Sequence, residues 1–177
     1  MAPGTVELVF VVRDPSFSRE RSWVGCEDGH VCPWCHDDPS AKRFRHFYGK
    51  AFGSFLTPDA VGRYPVFFTN AVLHGRGRNR APTAGERRAC RPVLERQIEL
   101  VRPRAVVALG HHACQSVAGI YGLSSEALLS ATQPLRTREG PWLWGTYHPS
   151  PLAASKSDEI AAKFAAIATW LERFERL

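Results

Sequence analysis

No apolar run in this 177-residue chain approaches the roughly 20 residues that a membrane-spanning helix needs. The start of the chain, Met1 to Val12, has neither the basic opening nor the small-residue cleavage site of a secretory signal. These absences predict a soluble, cytoplasmic protein. A disulfide framework is missing too. The five cysteines are an odd number, and three of them crowd between Cys26 and Cys35, a pattern of reduced thiols or a bound metal rather than of paired bridges. Repeats and low-complexity tracts are absent, and nothing suggests a disordered or fibrous chain. What remains is an ordinary globular composition, of a length that fits one domain over residues 1–177.

The net charge of +6 is a modest excess, and its distribution says more than its size. Arg76, Arg78, Arg80, Arg87 and Arg88 fall in one short stretch, interleaved with Gly75, Gly77 and Asn79. A solvated loop and an anion-binding loop both fit such a cluster.

Glu7 to Val12 (ELVFVV) reads as a buried strand that ends at Asp14-Pro15, where proline stops the ladder. A charged, Cys/His-rich insertion of about 18–45 follows, too long for a plain connection. A helix is expected from Phe47 to Leu56. A second strand is expected at Pro65 to Thr69, running into Asn70. Thr83 and Glu86 have the spacing of a capping box, and the helix they open should stop near Val101, before Pro103. Ala105 to Leu109 is a third strand, closed by Gly110 and followed by a helix near His112 to Tyr121. Leu143 to Tyr147 is a fourth, leading into His148-Pro149-Ser150-Pro151, and Ser157 is expected to cap a last helix over Asp158 to Phe174.

Strands alternating with helices predict a three-layer α/β/α sandwich around a mostly parallel four-stranded sheet. Ligands of such sheets gather beyond the carboxyl ends of the strands. Asp14, Asn70 and His148 all stand at those ends. One polar residue at a strand end is commonplace; three suggest a site.

The motifs themselves carry a resemblance. HPSPL at residues 148–152 resembles the second signature motif of uracil-DNA glycosylases. FFTNAVLHGRGRNRAPTAGE, residues 67–86, resembles the base-recognition strand and the basic loop of that superfamily's iron–sulfur branch, and residues 87–110 continue its helix and strand. VVRDPSF, residues 11–17, resembles a first motif that reads Gly-Gln-Asp-Pro-Tyr in another branch. HFYGKAF, residues 46–52, resembles the segment that carries a stacking phenylalanine. The resemblance covers most of the chain outside about 18–45. It implies the superfamily's fold and a DNA glycosylase, which flips a base out of DNA and hydrolyses its glycosidic bond.

Under that resemblance, Asp14 stabilises a cationic sugar and orients or deprotonates water. A neutral His148 donates a hydrogen bond to the base oxygen as negative charge develops there. Asn70 reads the Watson–Crick edge of a pyrimidine, Phe47 stacks on the flipped base, and Pro15 and Ser16 border it. Leu152 wedges into the vacated stack, while Ser150 and the loop arginines Arg76, Arg78 and Arg80 hold DNA phosphates. Taken singly, each has a plainer reading: Asp14 as a turn former, His148 as a structural histidine, Phe47 as core and Leu152 as packing.

Departures from the family patterns bear on substrate and cofactor. Val12 and Arg13 replace Gly-Gln, and Ser16 replaces the tyrosine that guards against 5-substituted bases, leaving room at pyrimidine C5. Cys90 matches one ligand of the iron–sulfur branch, but its partner near Val106 is missing. Cys26, His30, Cys32 and Cys35 instead form C-x3-H-x-C-x2-C, compact enough for a structural zinc. An iron–sulfur cluster that draws on Cys90 is the alternative. Cys114 is expected to pack in its helix. No lysine stands in the VVRDPSF, FFTNAVLHGRGRNRAPTAGE or HPSPL motifs to form a Schiff base, so a monofunctional, monomeric glycosylase acting on DNA is expected. It would excise uracil or a 5-modified pyrimidine; the alternatives are an anti-phage enzyme for hypermodified cytosine and a catalytically silent DNA-binding module. A zinc deaminase is disfavoured, since no glutamate stands two residues after His30.

Overall fold

Four short strands form the centre of the molecule: β1 (Leu8–Val12), β2 (Val66–Asn70), β3 (Ala105–Leu109) and β4 (Trp142–Thr146). They are ordered β2-β1-β3-β4, and every pair is parallel. The computed structural model describes residues 6–14, 38–53, 66–74 and 80–174.

Because strand side chains alternate, the sheet presents two apolar faces. Leu8, Phe10, Ala105, Val107 and Trp144 pack against α1 (Pro39–Phe52) and α5 (Ser157–Phe174) on one side. Val9, Val11, Val106, Ala108 and Leu143 face α2 (Ala84–Val101), α3 (His111–Tyr121) and α4 (Ser125–Ser130) on the other. This is the α/β/α sandwich expected from the sequence. Burial on both faces explains why the strands read as continuous apolar runs. Among the described residues no helix is long and apolar enough to cross a membrane.

The capping box of α2 is formed as expected: the Thr83 hydroxyl accepts from the Glu86 amide at 3.2 Å, and the Glu86 carboxylate accepts from the Thr83 amide at 2.8 Å. The helix runs through the exposed Pro92 and ends at Arg102, before Pro103.

Two expectations need correction, and one helix is added to those the sequence pattern predicts. Helix α1 begins at Pro39, not Phe47, so the last part of the stretch read as an irregular insertion is helical. Asp38 caps it by accepting from the amides of Ser40 and Ala41, with proline at the favoured first position. Charged Lys42, Arg43 and Arg45 obscure the apolar stripe of Ala41, Phe44 and Tyr48 in the sequence. Ser157 does not cap α5. The chain is already helical there, entering through a 3-10 turn (Pro151–Lys156), and the Ser157 hydroxyl donates to the Ala154 carbonyl at 2.7 Å. Helix α4, capped by Ser124, was not anticipated.

Candidate active site

The register sets the carboxyl ends of the strands side by side: Val12 pairs with Asn70, and Leu109 with Thr146. Pairing continues past the strands. The amides of Ala71 and Val72 donate to the carbonyls of Val12 and Arg13 at 2.7 and 3.1 Å, and that of Gly110 to the Thr146 carbonyl at 2.7 Å. Asp14 and Asn70 therefore leave the carboxyl edge of the sheet from adjacent strands, and His148 leaves the same edge after β4, on the far side of β3.

The Asp14 side chain is only 3% exposed and is ion-paired with the Arg13 guanidinium. Arg80 also feels the Asp14 charge. At the end of β4, burial pushes the His148 imidazole down to about 4; the Arg13 cation adds to that effect, while Asp38 and Asp14 oppose it. His148 is thus neutral at physiological pH and shares one electrostatic environment with Arg13, Asp14 and Asp38.

Gly110 makes the close packing of His148 possible. At φ +91° it lies in the region that glycine favours, and a Cβ there would come within 3.0 Å of His148 Cβ. It also opens α3, whose first turn carries His111 and His112. Arg87 donates to His112 Nδ1 at 3.2 Å and to the Pro82 carbonyl at 2.7 Å. Since guanidinium only donates, His112 keeps its proton on Nε2. Desolvation, and then the Arg87 charge, hold its pKa below the usual imidazole value.

Beyond His148, the Ser150 amide donates to the His148 carbonyl at 2.8 Å, and the Ser150 carbonyl accepts from Ala153 at 3.0 Å, which fixes the turn. Leu152 projects from it, 98% exposed. Lys156 stands 5.0 Å from the Tyr147 ring centroid. Arg80 is tethered by two hydrogen bonds to Glu86, at 3.0 and 2.6 Å. Phe47 is a core residue instead: it is buried against Phe164, with the Arg43 guanidinium 5.4 Å from its ring centroid.

Pro15, Ser16, Arg76, Arg78 and the expected ligands Cys26, His30, Cys32 and Cys35 lie outside the described residues. Among the described residues no three His, Cys, Asp or Glu side chains gather as a metal site. Cys90 is half-buried with its sulfur 3.9 Å from His74 Nδ1, and Cys114 is buried, its thiol pushed up to about 12 by desolvation.

Asp38, Arg87, Gly110 and His112 also adjoin the site. Asp38-Pro39 is a legible helix start, and Gly110 a legible strand end. Their nearness to His148 or Arg13 arises only from tertiary packing.

Residues 2–172 match the family model of the uracil DNA glycosylase superfamily. The chain is 40% identical over 94 residues to a type-5 uracil-DNA glycosylase of Pyrobaculum aerophilum, a stretch covering 53% of this chain and 40% of that protein. It is 34% identical over 122 residues to a type-4 uracil-DNA glycosylase of Sulfurisphaera tokodaii, covering 62% and 53% respectively. It is 28% identical over 128 residues to a type-4 uracil-DNA glycosylase of Thermotoga maritima, covering 72% and 66%. The matched stretches thus span about half the length of these relatives.

Proposed function

The chain belongs to the uracil DNA glycosylase superfamily, and from that membership we propose that it is a monofunctional DNA glycosylase, acting as a cytoplasmic monomer on uracil or a related pyrimidine. The observation that carries this reading is the placement of a buried carboxylate, Asp14, and a partly buried imidazole kept neutral, His148, on the same carboxyl edge of a parallel sheet.

The chemistry follows from the charges. The target base must leave the helix to be reached. As the bond from C1′ to the base nitrogen lengthens, its electrons go to the base and the sugar becomes cationic. The Asp14 carboxylate stabilises that cation and orients the water whose oxygen bonds to C1′; the released proton passes to a base such as Asp14. The neutral His148 donates a hydrogen bond to the base oxygen where the negative charge collects. Asn70, paired in register beside β1, is suited to reading the base edge. Leu152 fills the gap in the stack, and Ser150, with Arg76, Arg78 and Arg80, contacts phosphates. Stacking by Phe47 does not enter the proposal, because its ring packs in the core.

A second reading of the substrate rests on Ser16. A serine after Asp14-Pro15 leaves space at C5, which suits 5-modified pyrimidines, including the hypermodified cytosines of phage DNA. A silent DNA-binding module would have no need of both Asp14 and His148. Structural zinc on Cys26, His30, Cys32 and Cys35 belongs to the proposal on the strength of their spacing.

The test is a set of oligonucleotides carrying uracil, a thymine mispair or a 5-substituted cytosine, incubated with the protein and then treated with alkali. Breaks at uracil support the first reading and breaks at the substituted cytosine the second. No break at any base overturns both.

A further inference from the structure

His74 stands four residues beyond Asn70, and Cys90 lies in the second turn of α2. The fold brings the two together: the Cys90 sulfur is 3.9 Å from His74 Nδ1. Nothing in the proposed chemistry uses either. Both can be reached from solvent, since Cys90 is half-buried and the His74 side chain is 54% exposed. On the other side of the ring, His74 Nε2 faces the Glu86 carboxylate at 3.8 Å. That carboxylate is itself fixed at the start of α2, accepting from the Thr83 amide at 2.8 Å and from Arg80 at 2.6 Å.

A thiol and a ring nitrogen at 3.9 Å make a weak hydrogen bond at best. They suit a shared metal ion better. At about 2.3 Å from sulfur and about 2.1 Å from nitrogen, two tetrahedral ligands stand about 3.6 Å apart, so a shift of about 0.3 Å closes this pair on one ion. The surroundings fit as well. A metal-bound histidine commonly has a carboxylate behind its second nitrogen, which fixes the ring and its tautomer, and Glu86 occupies that place. The same spacing disfavours a four-iron cluster, in which each ligand takes its own iron and ligands on separate irons diverge. Cysteine with histidine is a usual donor set for structural zinc. Among the described residues no third ligand completes the set, so the other positions of the ion fall to water or to groups outside them.

We infer that His74 and Cys90 are two ligands of one divalent metal ion of the zinc class, which ties the chain beyond β2 to the start of α2. Cys90 binds as the thiolate, its proton passing to solvent, and His74 binds through Nδ1 as a neutral ring. The tie closes the base of the arginine-rich stretch, because His74 precedes Arg76 in the chain and Arg80 is held to Glu86. The consequence for DNA contacts rests on the glycosylase reading; the ligation does not.

The experiment loads the full-length protein with cobalt(II), whose visible spectrum reports both tetrahedral geometry and thiolate ligands. Wild type, Cys90→Ser, His74→Ala and His74→Cys are compared. Wild type should show the strong bands of a tetrahedral ion together with thiolate-to-cobalt absorption. Cys90→Ser should lose part of that absorption. His74→Ala should bind cobalt at least about 10–100-fold more weakly, since even an outer-shell partner is worth that much. His74→Cys should keep the ion and gain thiolate absorption. A spectrum and affinity unchanged in either Cys90→Ser or His74→Ala overturns the inference. So does a wild type that carries an iron–sulfur cluster lost in Cys90→Ser. If Cys90→Ser does not fold, His74→Cys decides: added thiolate absorption upholds the pair, and an unchanged spectrum refutes it. A wild type inactive on every base would remove the glycosylase reading and leave the cobalt result standing.

Discussion

His148 is held where an imidazolium would be poorly solvated, which suits the neutral-donor role proposed for it. Burial pushes its pKa down to about 4, with Arg13 assisting. The unfolded chain takes up the proton near pH 6.5, so between about 6.5 and 4 the unfolded state binds more protons than the folded one. The stabilising effect of a neutral His148 is complete above pH 6.5 and declines as the pH falls toward 4. Denaturant unfolding at pH 7.5 and 5 should show wild type losing more stability on acidification than His148→Gln; equal losses would mean that His148 protonates freely. Gly110 is the second decisive residue. With φ +91° and ψ 165° it occupies a region almost closed to other residues, and an alanine would also press on His148. Gly110→Ala should cost about 1–3 kcal/mol in unfolding free energy and reduce base release beyond what that loss explains. A variant as stable and active as wild type would show that the approach to His148 is not needed.

At the scale of elements, helix termini set much of the site geometry. Helix α2 ends with Arg102 at φ 48°, the one left-handed non-glycine among the described residues. Arg102→Gly should therefore raise stability, by about 0.5–1 kcal/mol, read from the denaturation midpoint. The 3-10 turn carries Leu152 out into solvent. Leu152→Ala should slow base release from duplex DNA more than from single strands, because only the duplex has a gap to fill; equal losses would reduce Leu152 to a packing role. Elements with strong local signals were legible in the sequence. The capping box of α2, the AVVAL run of β3 and the alternation of strand and helix all appear as read. The start of α1 was hidden by its charged residues, and α4 is too short for any period to show. Phe47 shows the limit most plainly. Its segment resembles one that carries a stacking ring, but its place in α1 packs it against Phe164, and tertiary packing decides which aromatic of a helix faces inward.

For the whole molecule, the parallel sheet is the device that gathers the site, since its four strands run the same way and three of them deliver a polar residue to one edge. That convergence could be read from three strand ends, Asp14, Asn70 and His148. The electrostatics could not, because Arg13, Asp38 and His148 become neighbours only when β1, α1 and β4 are assembled. The C-x3-H-x-C-x2-C spacing predicts about one zinc per chain by elemental analysis, with no broad absorption near 400 nm; iron together with such a band would favour a cluster drawing on Cys90.

The central claim is that Asp14 and His148 together break a glycosidic bond. Its most direct test is a single-turnover measurement of abasic-site formation on a duplex with one uracil, comparing wild type, Asp14→Asn and His148→Ala. Wild type should convert the substrate, Asp14→Asn should be slower by about 10²–10⁴-fold while still binding DNA, and His148→Ala by about 10²–10³-fold. Conversion by Asp14→Asn at the wild-type rate would contradict the account.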